Sequence, residues 1–449
     1  MFETECEQAP ALPMIGGPYQ KFFKKIVTGG ILLLCTTLLA LLWSGMAPEH
    51  YQHFWHTPLS ISVGSLSISK SLLHWIDELL MAVFFFIVGL EIKREIMIGE
   101  LSSFRKAVLP VAAAIGGMLL PAVIFYIFNY NTKTAAGWGI PMATDIAFAL
   151  AVLSLVKNRV PYGVRIFLSA LAIADDMGAV LVIAIFYTKS IAWEYFIIAA
   201  VCLVLLAIAN RLWIRHTLVY AILGAGVWFS FMAAGIHATV AGVVVAMFIP
   251  ARGRYDTDCF LRVVNKALSR FNCRMGDCGR TILLEQTHLN AVQNIENACA
   301  KTITPLQRLE HFLGSWVSLL ILPLFALANA GMHIDLNTLY STLSAPLSLG
   351  IIFGLTLGKP LGIFLFTFVT AKLLKTPLTQ GMNWGHILGI GMLGGIGFTM
   401  SIFITSLSYS NPDFQEMAKA GILTATALSS IFGLLVLAAL SKKRKKMVS

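Results

Sequence analysis

The run SALAIADDMGAVLVIAIF (169–186) sets two aspartates side by side in an otherwise apolar segment. No other charge lies between Arg165 and Lys189, so 166–188 is a 23-residue span with Asp175 and Asp176 almost at its centre. A stretch of roughly 17–25 mostly apolar residues is long enough to cross a bilayer as a helix. The segment therefore reads as a membrane helix with two carboxylates at mid-depth.

The rest of the chain has the same character. It is 57% hydrophobic and 12% charged, where a soluble domain carries about 25% charged residues; the mean hydropathy is +0.78. Twelve apolar spans are predicted, at roughly 26–45, 72–92, 108–129, 134–156, 162–187, 193–210, 217–230, 235–249, 312–331, 347–370, 385–408 and 420–440. The seventh and eighth are short and separated by a weak break. Loop charges support this count, because Lys and Arg concentrate on the cytoplasmic side of a membrane protein. Twenty-eight of the 33 Lys and Arg fall at the termini or in alternate loops. Only Lys70, Lys133, Lys189 and Lys419 fall in the loops between, and Lys359 lies inside a span. Both termini are accordingly predicted cytoplasmic. The +11 net charge follows from this topology and does not call for nucleic acid.

The first apolar run, which ends in WSGMAP, exceeds the ~7–15 residues of a secretory signal core and reads as the first span. Residues 1–20 are polar with Pro and Gly and are predicted to be a disordered tail. The predicted organisation continues with spans over 21–250, a cytoplasmic insertion at 251–304, spans over 305–440 and a basic tail at 441–449. Four of the seven cysteines, Cys259, Cys273, Cys278 and Cys299, fall in the cytoplasmic loop. Thiols stay reduced there, and their irregular spacing fits unpaired thiols better than a zinc site.

Asp145 lies midway between Lys133 and Lys157, and Lys359 is the only charge in 346–371. Asp145, Asp175, Asp176 and Lys359 thus converge on one depth. Each costs about 2.5–3.5 kcal/mol at a helix centre, on the order of 10 kcal/mol together before pairing. A purely structural ion pair would use one Lys and one Asp and leave two carboxylates unexplained. Neighbouring helix positions point about 100° apart, so Asp175 and Asp176 cannot share a face but can flank one cavity at a helix edge. Two close buried carboxylates can hold either a hard cation or protons. That is the chemistry of an exchanger.

Two spans are weakened near their middles. AAGWGIPMATDIAFALAVL carries Gly137, Gly139 and Pro141 ahead of Thr144-Asp145, and GHILGIGMLGGIGFTMSIFI carries five glycines from Gly389 to Gly397. Glycine in a membrane helix often marks only close packing. Here each broken span is the second of a triplet, 108–187 and 347–440, and each triplet carries a further midplane charge. Seven spans separate their starts, so the triplets begin on opposite sides. This is the pattern of inverted repeats with discontinuous helices. Asp145 would then offset positive half-helix ends and Lys359 negative ones.

Seven stretches in order resemble the NhaA family of sodium/proton antiporters: FFFIVGLEIKREI (84–96), IPMATDIAFAL (140–150), RIFLSALAIADDMGA (165–179), GIHATVAGVVV (235–245), LILPLFALANAG (320–331), GKPLGI (358–363) and GGIGFTMSIFI (394–404). They span roughly 20–440. The family is itself a type example of the inverted-repeat architecture, so that argument and the resemblance are not independent. The resemblance implies that Asp175 and Asp176 bind sodium and exchange protons, and that Lys359 can pair with the first aspartate. It implies that Thr144 and Asp145 sit where unwound chains cross. It also ties Glu91, Glu95, Glu310 and His237 to pH response. Read alone, His237 is equally a hydrogen-bonded helix-end histidine, and 91–95 a solvated helix end.

TPLSISVGSLSIS (57–69) alternates apolar and polar residues around Gly64-Ser65, the signal of a β-hairpin on the side away from the cytoplasm. The resemblance places such a hairpin in homodimer contacts; packing on its own subunit is the alternative. The loop from Ala251 to Thr304 is longer than the family's usual linker. Its 281–303 stretch has helical periodicity, which fits a regulatory module or a tolerated surface insertion.

The fold class expected is an all-α polytopic membrane protein of about twelve transmembrane helices. Two of these are discontinuous, with inverted repeats and a small extracytoplasmic hairpin. The expected function is secondary exchange of sodium, or lithium, for protons across a bacterial inner membrane, electrogenic at two protons per sodium, with no cofactor. A cation channel could use the same carboxylates but would need no obligatory titration. An intramembrane aspartyl protease also needs two carboxylates, yet the GxGD pattern is absent and Lys359 has no part in it. No phosphate-binding loop of a primary pump is present.

Overall fold

The computed structural model describes residues 18–63, 66–156, 160–188, 192–269, 286–332, 336–379 and 381–448. Besides the short helices Pro48–His56, Leu72–Trp75 and Leu336–Ser344, its helices are α1 (Pro18–Met46), α2 (Met81–Ile98), α3 (Phe104–Phe128), α4 (Lys133–Met142), α5 (Ile146–Leu155), α6 (Tyr162–Phe186), α7 (Trp193–Arg211), α8 (Thr217–Ala234), α9 (Ala238–Phe248), α10 (Thr257–Leu268), α11 (Gln286–Thr302), α12 (Pro305–Asn329), α13 (Pro346–Leu374), α14 (Trp384–Gly394), α15 (Phe398–Ser408) and α16 (Pro412–Val448). Eight of them are long and apolar enough to cross a membrane, and two bent pairs, α4 with α5 and α14 with α15, pass the same test together. The protein is an all-α polytopic membrane protein.

Two predicted spans take a different form. The second is helical from Leu72, passes through a widened turn at Ile76–Leu80, and continues as α2 to its charged end. The eighth, expected over 235–249, contains only the 11-residue α9. At 1.5 Å per residue that is about 16 Å, half of a hydrocarbon core. The break before it is made by Gly235, whose φ of +82° is left-handed and closes α8 without steric cost.

Polarity is inverted relative to a soluble bundle. Leu38, Leu42, Leu119, Val123, Ile185, Ile197 and Val201 are exposed, while Asp145, Asp175, Asp176 and Lys359 are at most 4% exposed. Apolar side chains facing outward around an ionisable centre suit a hydrocarbon surround and not water.

The triplets α3–α4/α5–α6 and α13–α14/α15–α16 repeat one order of elements: long helix, broken pair, long helix. Both breaks bend by 47°. In the first, Ala143 is extended (φ −76°, ψ 149°), as expected after Pro141 has removed an amide donor. The second is the Gly395–Gly397 segment. The triplets lock together through α3 and α13, the most extensive helix pair. A Cβ on Gly116 would lie 2.3 Å from the Gly362 carbonyl oxygen, and one on Gly362 would lie 2.0 Å from that of Gly116. Only hydrogen fits at this crossing, three residues along the chain from Lys359. Gly362→Val is expected to cost about 1–3 kcal/mol by overpacking, read as a lower Tm in detergent.

Strands β1 (Pro58–Val63) and β2 (Leu66–Ser71) pair antiparallel from Pro58–Ser71 to Val63–Leu66. The Gly64-Ser65 turn lies outside the described residues, as do residues 1–17 of the expected tail. The helical reading of 281–303 corresponds to α11, with 281–285 outside the described residues. Helices α10 and α11 pack on each other, and the neck closes where the Arg254 amide donates to the Lys301 carbonyl at 2.8 Å. Cys259 and Cys299 are free thiols. Helix α16 runs on through Ser441 to Val448, so the basic C-terminal residues continue the last helix.

Candidate functional site

The two chain breaks cross at mid-depth. The Asp145 amide donates to the Ile396 carbonyl at 2.7 Å, and the Ser401 hydroxyl donates to the Ile140 carbonyl at 2.8 Å. Unwound backbone inside a membrane persists only when such partners satisfy it. The Asp145 carboxylate joins two half-helix N-termini. Oδ1 accepts the Phe148 amide of α5 at 2.9 Å, and Oδ2 accepts the Thr399 amide of α15 at 3.2 Å as well as the Thr399 hydroxyl. Free amides and helix dipoles make those ends partly positive, so one carboxylate compensates both.

Lys359 serves the opposite sign. The widened turn Gly354–Gly358 precedes it in α13, a distortion that recurs at functional sites. Its ammonium donates to the Met142 carbonyl at the C-terminal end of α4 and to Asp175 Oδ2 at 2.8 Å. Lysine and aspartate form an ion pair with side chains 1% and 2% exposed. The Thr144 hydroxyl lies 2.6 Å from the same Oδ2 and 3.0 Å from the Gly394 carbonyl.

The two neighbouring aspartates are thus treated differently. Asp175 Oδ2 is held by lysine and threonine, while Asp175 Oδ1 is buried with no hydrogen-bond partner. Asp176, one residue on and about 100° around α6, lines a cavity of about 920 Å³. A buried carboxylate oxygen without a donor is costly and offers a ready ligand to a small cation with a preference for oxygen. Among the described residues no cluster of three His, Cys, Asp or Glu side chains stands ready for a transition metal.

The cavity connects this centre to two of the residues associated with pH response, Glu91 and Glu310. Phe84, Ile87, Val88, Glu91 and Arg94 form one face of α2, at helical spacing, along its wall, and Gln307, Glu310 and His311 of α12 also line it. Arg94 pairs with Glu95 at 3.0 Å and with Glu310. Glu91 is within electrostatic reach of the same guanidinium, so Glu91, Glu95 and Glu310 surround one arginine. His237 does not join them. His237 is the residue before α9, and its Nε2 lies 2.9 Å from the Tyr187 carbonyl oxygen.

Two contributors were not legible locally. Thr399 is neutral and carries no charge penalty that would single it out; the only cue is a hydroxyl residue two positions after a glycine break, where helix N-termini want an acceptor or a cap. Lys93 reads as part of a solvated helix end, yet its ammonium donates to the carbonyls of Met247, at 2.6 Å, and Ile249. It thereby satisfies the C-terminal end of the short helix α9.

Comparison with known proteins agrees with this architecture. The model of the family described as Na+/H+ antiporter 1 matches residues 20–437. The chain is 44% identical to Na(+)/H(+) antiporter NhaA 2 of Syntrophotalea carbinolica over 432 residues, covering 95% of this chain and 97% of that one. It is 45% identical to NhaA of Helicobacter pylori strain J99 over 427 residues, covering 94% and 96%. The NhaA of Oleidesulfovibrio alaskensis is 44% identical over 431 residues, with 95% of each chain covered. Such even coverage makes these relatives nearly equal in length to this chain, so its long 251–304 loop does not set it apart from them in size. On the match of almost the whole chain, this protein belongs to the Na+/H+ antiporter 1 family.

Proposed function

We propose that the protein exchanges sodium, or lithium, for protons across the bacterial inner membrane, with Asp175 and Asp176 shared between ion and proton. The observation that carries this reading is the unpartnered, buried Asp175 Oδ1 beside an Asp176 that faces the cavity. A sodium ion reaching Asp176 through the cavity gains Asp175 Oδ1 as a second carboxylate ligand. Binding a cation between two carboxylates weakens the hold of Lys359 on Asp175 and expels protons from the pair. If two protons leave for one sodium, from both aspartates or from one aspartate and Lys359, each cycle moves net charge. Transport then follows membrane potential.

Thr144, Asp145 and Lys359 keep the crossing neutral while the ion and protons alternate. Glu91, Glu95 and Glu310, gathered around Arg94 at the cavity wall, are the proposed pH-responsive group, and His237 acts separately at the start of α9. The excess of Lys and Arg in alternate loops supports a cytoplasmic position for both termini and the 251–304 insertion, and the β1–β2 hairpin is the proposed homodimer contact on the other side. No cofactor and no nucleic acid take part.

The test uses purified protein in sealed proteoliposomes with an internal pH-sensitive dye. Sodium is expected to drive proton movement between about pH 6.5 and 8.5, faster when a diffusion potential of the assisting sign is imposed. Sodium flux without proton movement would indicate a channel and defeat the proposal.

A further inference from the structure

Phe84, Leu322 and Met400 are among the apolar residues that line the cavity. Beyond it the Phe403 ring packs on Phe85 and Phe325, with centroids 5.6 Å and 6.3 Å away, and all three side chains are buried. Farther along, on the lysine-poor side, a polar cluster joins three elements. Asp77, in the widened turn ahead of α2, accepts a hydrogen bond from Asn329 at the end of α12 at 2.7 Å. Lys419 of α16 donates to the Gly331 carbonyl just past α12 at 3.3 Å. Its ammonium is within electrostatic reach of Asp77. The Tyr51 hydroxyl lies 2.8 Å from the Leu327 and Ala328 carbonyls and accepts the Gly331 amide at 3.3 Å. The partly negative C-terminal end of α12 thus receives a tyrosine and a lysine, and Asp77 balances the lysine.

The connectivity of this cluster gives it meaning. One cavity wall comes from α1, α2 and α12, and the other from α5, α6 and α15. Helix α16 packs on α13, α14 and α15, and of these α15 contributes Thr399 and Met400 to the second wall. Lys419 therefore crosses from one wall set to the other, at the end where the walls meet. Asp77 and Glu91 are fourteen positions apart, about 21 Å of helix, so the contact and the Arg94 network mark opposite ends of one wall.

Resting on the exchanger reading, we propose that Asp77, Asn329 and Lys419 form a latch that closes the transport path opposite the cavity. The contact holds the two walls together while the cavity is open to the basic side, and it breaks when sodium is released on the other. The latch gives the cavity-open state a contact that the alternate state lacks, and a contact made in only one of two states sets their populations.

The experiment measures sodium-driven proton movement in oriented proteoliposomes, with sodium offered from each side in turn, for wild type, Lys419→Met and Asp77→Asn. Apparent affinity falls with the fraction of protein in the competent state. Breaking the latch is expected to raise the sodium KM on the cavity side and lower it on the other, changing their ratio by about five-fold or more. The paired exchange Asp77→Lys with Lys419→Asp is expected to return the ratio toward wild type. A ratio unchanged in both single variants, or two KM values that move together, overturns the latch. Asp77→Asn keeps a hydrogen-bonding group for Asn329 and carries the test should Lys419→Met fail to fold. Absence of sodium-coupled proton movement in wild type would instead defeat the exchanger reading.

Discussion

Asp176→Asn is expected to abolish sodium-dependent proton movement while leaving the protein at least as stable as wild type. The two effects separate because of where Asp176 sits. It is 4% exposed, lines the cavity and forms none of the hydrogen bonds or ion pairs that hold the crossing, which belong to Asp145, Asp175 and Lys359. An amide of the same shape removes the charge that a cation needs and the site that a proton occupies. It removes no structural bond. Loss of an obligatory proton carrier should lower the rate by about two orders of magnitude or more. An ionised carboxylate in this setting is costly, so the Tm in detergent should hold or rise. Asp176→Glu keeps the chemistry on a longer arm and should retain part of the activity. Normal exchange in Asp176→Asn would remove this residue from the mechanism.

Lys359→Met is expected to give the largest loss of stability. It leaves the buried Asp175 carboxylate with only Thr144, and the Met142 carbonyl at the end of α4 without its ammonium donor. Removing one partner of a buried pair costs about 3–5 kcal/mol, far more than the pair itself contributes, because the remaining charge is stranded. The double variant Lys359→Met with Asp175→Asn removes both charges and should recover most of the loss. Thermal unfolding of the three proteins measures this. A double variant no more stable than the single one would show that the Lys359–Asp175 pair is not what the lysine stabilises.

Both expectations depend on contacts between residues far apart in sequence, which marks what could and could not be read from the chain. The membrane class, ten of the twelve expected spans, the two breaks and the four midplane charges were all legible. Each leaves a local trace: apolar run length, loop charge, glycine and proline, or an ionisable residue that hydrocarbon makes costly. The hairpin was legible for the same reason, through alternation around Gly64-Ser65.

What the sequence by itself determined is therefore the set of costly residues and the depth at which they lie. Sequence places Asp175 and Asp176 at one level, because helical rise converts residue number into depth. It does not say which carboxylate oxygen meets the lysine and which stays bare. Nor does it show that Asp145 caps two half-helices, that Lys93 satisfies the end of α9, or that Lys419 reaches across to Gly331. Only the tertiary structure decided those pairings. They join positions as much as 254 residues apart, as Thr399 and Asp145 are. Unsatisfied amides, carbonyls and charges inside a membrane bind whichever partner the packing of the helices brings within reach.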